Sequence, residues 1–276
     1  MKFTFQRTYR GPLQALIFDW AGTMIDYGSQ APAQIFVKVF KDKGVEITLD
    51  EARSPMGMHK RDHIETLCRE PRIVDAWKAV HNTPLDQEDI EDMFQAFIPL
   101  QLGILSDYST LIPGALETFA NARARGLKIG SSTGYNREML ELILKNVKAQ
   151  GFEPDSAYCS VDVPAARPAP WMCIMNAMTM GVYPFESVVK FDDTTPGITA
   201  GLNAGMWTVG FAKSGNGIGL NEVEIAELDP NELESKLQIA RDRFIAAGAH
   251  YVVDGIWNVP AVLDDIEARL KRGERP

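Results

Sequence analysis

The sequence predicts an α/β fold: a Rossmann-like parallel sheet core with an all-helical domain inserted after the first strand. Short apolar runs rich in Ile and Val alternate with helical patterns, while residues 27–104 carry helical patterns and no strand series. The 276 residues are also enough to bury a sizeable core without disulfide or metal staples. In order, residues 13–18, 127–131, 157–161, 187–191, 206–211 and 251–253 read as strands buried on both faces, as in a parallel sheet. Residues 114–125, 137–150, 171–180 and 196–204 read as the helices between them. Inside the insert, helical periodicity covers 34–43, 60–69 and 90–102. The expected organisation is therefore a core of 1–26 and 105–276 and a cap of 27–104, tethered by linkers near Asp26 and Asp107. Ligands of open parallel sheets sit beyond the carboxyl ends of the strands, so the insert is placed to close over a small molecule and exclude water.

Composition narrows the partners. With 45% hydrophobic and 24% charged residues, the chain reads as an ordinary soluble protein. Its net charge of -9 opposes nucleic acid and anionic membrane surfaces, which leaves a small molecule as the expected partner. Cys68, Cys159 and Cys173 are too few and too dispersed for a disulfide framework or a zinc site, consistent with a reducing cytoplasm. The opening MKFTFQRTYRGPLQ lacks the apolar stretch of a signal peptide, and no run is long enough to span a bilayer.

The residues that follow each apolar run are polar. The first run ends in Phe18-Asp19-Trp20-Ala21-Gly22-Thr23, where a carboxylate at a strand tip suits a nucleophile, although such a cluster also serves as a turn or helix cap. After the second come Ser131-Ser132-Thr133-Gly134-Tyr135, able to bind an anion at a helix N-terminus or simply to cap it. Arg167, in a proline-rich loop, offers a fixed cation or a plain surface charge. The fourth run ends in Asp192-Asp193-Thr194, and adjacent carboxylates at a strand tip call for donors or a cation, Mg²⁺ being the simplest. In the insert, Met56-Gly57-Met58-His59-Lys60-Arg61-Asp62-His63 places Lys60 among cations that would lower its pKa, with His63 on the same helical face; the alternative is a basic helix end at the surface.

Taken together, these four strand-end motifs resemble those of the haloacid dehalogenase superfamily. The segments DWAGT, PMGMHKRDHI, STGYNREML, ARPAPWM and NAGMWTVG resemble in particular its phosphonoacetaldehyde hydrolase branch. The resemblance implies that Asp19 attacks phosphorus, that Asp19, the Ala21 carbonyl and Asp193 hold Mg²⁺ with Asp192 nearby, and that Thr133, Gly134 and Arg167 hold the phosphoryl oxygens. It further implies a Schiff base on Lys60, a substrate space lined by Met56, His63 and Tyr135, and a homodimer. Phosphatases of the superfamily carry an acid at the position of Ala21 to protonate a leaving alkoxide; its absence suits a carbon leaving group. His59, Ser29 and Gly197 depart from the branch pattern. A phosphomonoesterase or dehalogenase of the same fold, a catalytically silent binding protein and a Schiff-base aldolase remain as alternatives.

Overall fold

The computed structural model describes residues 8–276; residues 1–7, the start of the expected core segment, lie outside the described residues. The strands β1 (Ala15–Phe18), β2 (Lys128–Thr133), β3 (Ser156–Cys159), β4 (Val188–Asp192), β5 (Trp207–Phe211) and β6 (Tyr251–Val253) form one sheet in the order β3-β2-β1-β4-β5-β6. Every neighbouring pair is parallel, with β1 central: Phe18 pairs with Ser131 of β2 on one side and with Phe191 of β4 on the other. The strand order reverses about β1, and this is the switch point at which doubly wound sheets open a crevice.

Helices α1 (Gln30–Asp42), α2 (Leu49–Arg53), α3 (Lys60–Leu67), α4 (Pro71–His81) and α5 (Gln87–Leu105) come between β1 and β2 in the chain and form the helical insert. Helices α6 (Ala115–Ala124), α7 (Arg137–Ala149), α8 (Trp171–Thr179), α9 (Thr195–Asn203), α10 (Glu222–Glu227), α11 (Pro230–Ala246) and α12 (Val259–Arg272) belong to the sheet region. The expected strands and helices each have a counterpart within a few residues, but α2, α4, α10, α11 and α12 were not anticipated. Their signals are local: α4 and α11 have Pro in their first turns, and Asp229 caps α11 by accepting from the Asn231 and Glu232 amides.

One expectation needs correction. The strand runs are not all buried on both faces: β1, β4 and β5 are, whereas the interior residues of β3 and all of β6 are half-buried. Those two strands are the sheet edges, where an apolar run has a neighbour on one side only. At the centre, Phe18 stacks on Phe191 at 4.5 Å and meets Phe119 edge-on at 5.7 Å, bonding the middle of the sheet to α6.

The two connections to the insert lie side by side. Ile25 bridges to Ala21 and Leu111, and the Ile112 amide donates to the Met24 carbonyl at 2.8 Å. Asp26 and Ser29 both adopt left-handed backbone there. The Asp26 carboxylate accepts from the Gln30 (2.9 Å) and Ala31 (3.1 Å) amides, satisfying the first turn of α1. Burial nevertheless pushes its carboxyl up to about 7, the two amides only partly opposing it. Buried Arg53, at the end of α2, donates to the carbonyls of Gly28 (2.9 Å), Ser29 (3.0 Å) and Gly219 (2.9 Å), and to Asn216 Oδ1 (3.2 Å). Insert, linker and sheet-domain loop thus share one guanidinium. Arg53→Met, which keeps the apolar stem but strands those acceptors, is expected to cost about 2–4 kcal/mol, measured as a lower urea midpoint at unchanged m-value.

Candidate active site

Asp19 leaves the tip of β1 with its amide still bonded to the Phe191 carbonyl (3.0 Å), so the sheet itself sets the position of the carboxylate. The chain then turns at Gly22, whose φ of 73° favours glycine; a Cβ there would also lie 2.1 Å from Asp193 Oδ2. Asp193 follows β4, the strand beside β1, and its Oδ2 accepts from the Asn216 amide at 2.8 Å. Its Oδ1 is buried with no partner among the described residues. Asp19, Asp192 and Asp193 bring carboxylate oxygens within 4.8 Å of one another. Burial, together with the negative charges of Asp19 and Asp192, pushes Asp193 well above the usual carboxylate range. Burial likewise raises Asp19, against the pull of Arg167. Such a cluster is short of positive charge, and an orphaned acidic oxygen within it suits a hard divalent cation.

Arg167 supplies the fixed cation. One amino group donates to Asp19 Oδ1 at 2.6 Å and to Ser132, through both its carbonyl and its hydroxyl (3.0 Å). The other lies 3.4 Å from Asp192 Oδ2. Thr133 ends β2, and its hydroxyl accepts from the Tyr135 amide at 3.2 Å. Thr133 at the end of β2, with Gly134 and Tyr135 after it, lines the same cavity as Asp19 at the tip of β1.

From the insert, the loop 56–58 reaches down to this space. At Gly57, φ is 96° and a Cβ would lie 2.3 Å from Thr194 Oγ1, so only glycine allows the loop this close to the core. Helix α3 then begins at Lys60, and His59 caps it through Nδ1, which accepts from the Arg61 amide at 3.3 Å. Lys60 is buried, its Nζ lying over the rings of Tyr135 (5.3 Å), Phe36 (5.4 Å) and Phe97 (5.8 Å). Burial lowers its pKa to about 8, assisted by Arg167 and opposed by Asp19 and Asp193.

The sequence pointed to a lowered pKa for a different reason. Crowding by His59 and Arg61 is not the cause, because successive helix residues project in different directions; Arg61 turns outward to Glu91 (3.1 Å) and Gln87 (2.8 Å). Desolvation dominates instead.

One cavity is lined by Asp19, Ala21, Met56, Lys60, Thr133, Gly134, Tyr135, Arg167 and Asp193, together with Ser29, Pro32, Gly57, Met58 and Thr194. Of the residues singled out in the sequence, His63 and Asp192 are not on its wall. His63 stacks on Phe36 at 3.7 Å, and its Nε2 donates to the Ala52 carbonyl at 2.8 Å. Burial holds its pKa well below the usual value, so it is a neutral ring behind the aromatic wall. Asp192 is fully buried and does not line the cavity. Sequence reasoning passed over Lys190, which is also fully buried and lies 2.7 Å from Asp192 Oδ2. A lysine inside the apolar run Val188-Val189-Lys190-Phe191 was the available signal, since buried lysines need a partner.

Known proteins resemble this chain in sequence and in fold. The family of haloacid dehalogenase-like hydrolases matches residues 13–205. Phosphonoacetaldehyde hydrolase of Bacillus cereus is 46% identical over 92% of this chain and 97% of its own. A phosphonoacetaldehyde hydrolase-like protein of Syntrophobacter fumaroxidans is 43% identical over 99% of both. Among solved structures, a phosphonoacetaldehyde hydrolase like protein from Oleispira antarctica superposes with a TM-score of 0.97 at 41% identity, covering 100% of each chain. A β-phosphoglucomutase from Clostridium difficile, at 17% identity and a TM-score of 0.64, shares the fold.

Proposed function

The chain belongs to the phosphonoacetaldehyde hydrolases, within the haloacid dehalogenase-like hydrolases, and from that premise we propose that it cleaves the carbon–phosphorus bond of phosphonoacetaldehyde, releasing acetaldehyde and phosphate. The observation that carries the mechanism is the meeting of two unlike groups on one cavity: the desolvated Lys60 amine from the insert and the Asp19 carboxylate from the sheet.

In this reading, neutral Lys60 adds to the aldehyde and water leaves, giving an imine that becomes cationic on protonation. Asp19 attacks phosphorus, and the electron pair of the breaking carbon–phosphorus bond enters the iminium to form an enamine. Protonation at carbon and hydrolysis return acetaldehyde and free Lys60. Water then opens the aspartyl phosphate, restoring Asp19 and releasing phosphate, so that one water is consumed overall. Thr133, Gly134 and Arg167 hold the phosphoryl oxygens, while Met56 and Tyr135 shape the aldehyde end of the cavity. Asp19, the Ala21 carbonyl and Asp193 would hold Mg²⁺, which when bound offsets the repulsion between Asp19 and an anionic substrate. Ala21 leaves no acid two residues after Asp19, and an enamine leaving group needs none at oxygen. A homodimer, a cytoplasmic location and a small phosphonate as the partner, without nucleic acid or membrane, belong to the same proposal.

Borohydride reduction during incubation with phosphonoacetaldehyde and Mg²⁺, followed by peptide mass spectrometry and a phosphate assay, tests it. An adduct on Lys60 with phosphate release supports both parts. Phosphate without an adduct removes the imine, and absence of both sinks the substrate assignment.

A pH dependence follows from the same lysine. Burial depresses its pKa to about 8, so the reactive neutral amine increases as pH rises toward that value. At pH 7 roughly a tenth of the lysine would be neutral, against well under a thousandth for a free side chain near 10.4. The rate of adduct formation under single-turnover conditions is therefore expected to climb with pH and level off above about 8. A climb continuing to pH 10 would show that Lys60 is not the titrating nucleophile.

A further inference from the structure

We infer that Asp192 is a positioning residue for Arg167, a buried counter-charge that holds the guanidinium in place, and that Gly197 lacks a side chain because the Asp192 carboxylate occupies its space. The inference rests on the reading of Arg167 as the phosphoryl clamp.

Both oxygens of Asp192 face groups of the protein, one by hydrogen bonds and the other by charge contacts alone. Oδ1 accepts from the amide (3.0 Å) and hydroxyl (2.7 Å) of Thr194. Oδ2 faces two cations, Lys190 Nζ at 2.7 Å and Arg167 at 3.4 Å. The lysine contact is an ion pair without hydrogen-bond geometry, since Lys190 directs its hydrogen bond to the Phe191 carbonyl at 2.9 Å. A metal ion on Oδ2 would sit against two fixed positive charges, which is electrostatically unfavourable in a buried site. The orphaned oxygen in the cluster that is free of such neighbours is Asp193 Oδ1. Asp192 thus belongs to the cation side of the cluster. Without it, Arg167 would keep Asp19 as its one remaining ion-pair partner among the described residues, and the clamp would be drawn toward the nucleophile.

Gly197, in the first turn of α9, makes room for this arrangement. A Cβ there would lie 1.9 Å from Asp192 Oδ2, 2.0 Å from its Cγ and 2.2 Å from Oδ1. A side chain at 197 and a carboxylate at 192 exclude each other. Equally, a carboxylate carried on residue 197 would enter the space vacated if residue 192 lost its own. The position of the charge, more than the strand that bears it, is what the guanidinium requires.

The test is a double-mutant cycle read by calorimetric binding of inorganic phosphate to the full chain with saturating Mg²⁺. Asp192→Asn is expected to weaken phosphate binding about tenfold in the native background, and by less than about threefold when Arg167 is already Ala. Equal losses in both backgrounds would overturn the inference, because Asp192 would then act independently of Arg167. Should Asp192→Asn fail to fold, the paired variant Asp192→Gly with Gly197→Asp decides: binding within about threefold of native supports a shared charge position, and a folded protein with a tenfold loss overturns it. Arg167→Ala alone separates the two levels of the argument. Native phosphate affinity in that variant would remove the clamp reading itself, whereas a loss there combined with no effect of Asp192→Asn would remove only the role of Asp192.

Discussion

Lys60→Arg is expected to abolish turnover of phosphonoacetaldehyde, by about 10³-fold or more, and to yield no borohydride-trapped adduct. Arginine retains positive charge and a long apolar stem, so the contact with Phe36, Phe97 and Tyr135 survives in kind. What it cannot supply is a neutral amine, because a guanidinium stays protonated throughout the accessible pH range. Phosphate and Mg²⁺ binding, which depend on the strand tips, should change little. This comparison separates covalent from electrostatic catalysis: a Lys60→Arg enzyme that kept a tenth of its activity would mean that a cation suffices and that the imine is not on the path.

Asp19→Asn should be equally damaging to turnover, again by about 10³-fold or more, yet should still form the reducible adduct on Lys60. The amide removes the nucleophile but nearly preserves shape, and the Asp19 backbone remains fixed to Phe191. Imine formation needs only the neutral amine and the aldehyde, so trapping without phosphate release is the expected signature. Loss of trapping as well would indicate that Asp19 is needed to bind or orient the aldehyde. Retained turnover would restore the Schiff-base aldolase reading, in which Lys60 acts without Asp19. The two variants are therefore opposite halves of one experiment: the first blocks the step before cleavage, the second the cleavage itself.

The electrostatic setting gives a reason for placing the amine in the insert. Lys60 comes to the site on the loop 56–58 and α3, and its environment is assembled from α1, α5 and the end of β2. Any motion that withdraws the insert also rehydrates the amine and returns it toward its ordinary pKa. In the proposed mechanism, closure would therefore both exclude water and generate the neutral amine. Arg53 ties the linker to the loop around residues 216–219, and the Asn216 amide in turn orients Asp193, so the closed insert and the acidic cluster share a structural contact.

Much of this protein is written locally. Apolar runs separated by helical patterns determine a parallel α/β sheet, because period and run length are properties of neighbouring residues. The placement of Asp19, Thr133 and Asp193 at strand ends was legible for the same reason, and the sheet order then brings those ends together around β1, with Arg167 joining them from the loop before α8. The first-turn prolines Pro71 and Pro230 carried a local signal for α4 and α11 that periodicity alone did not raise. Other properties arise only when distant residues meet. The Lys60 pKa is lowered because burial among Phe36, Phe97 and Tyr135 removes its water, not because of its sequence neighbours; His63 shares its helical face but lies behind Phe36. Asp192 and Asp193 are adjacent in the chain and alike in composition, yet successive residues at a strand end project differently: one turns to Lys190 and Arg167, the other to the open cavity. Chain-local pattern determined which groups reach the site, and tertiary packing decided their charge and their roles, because desolvation and ion pairing depend on what surrounds a group in space.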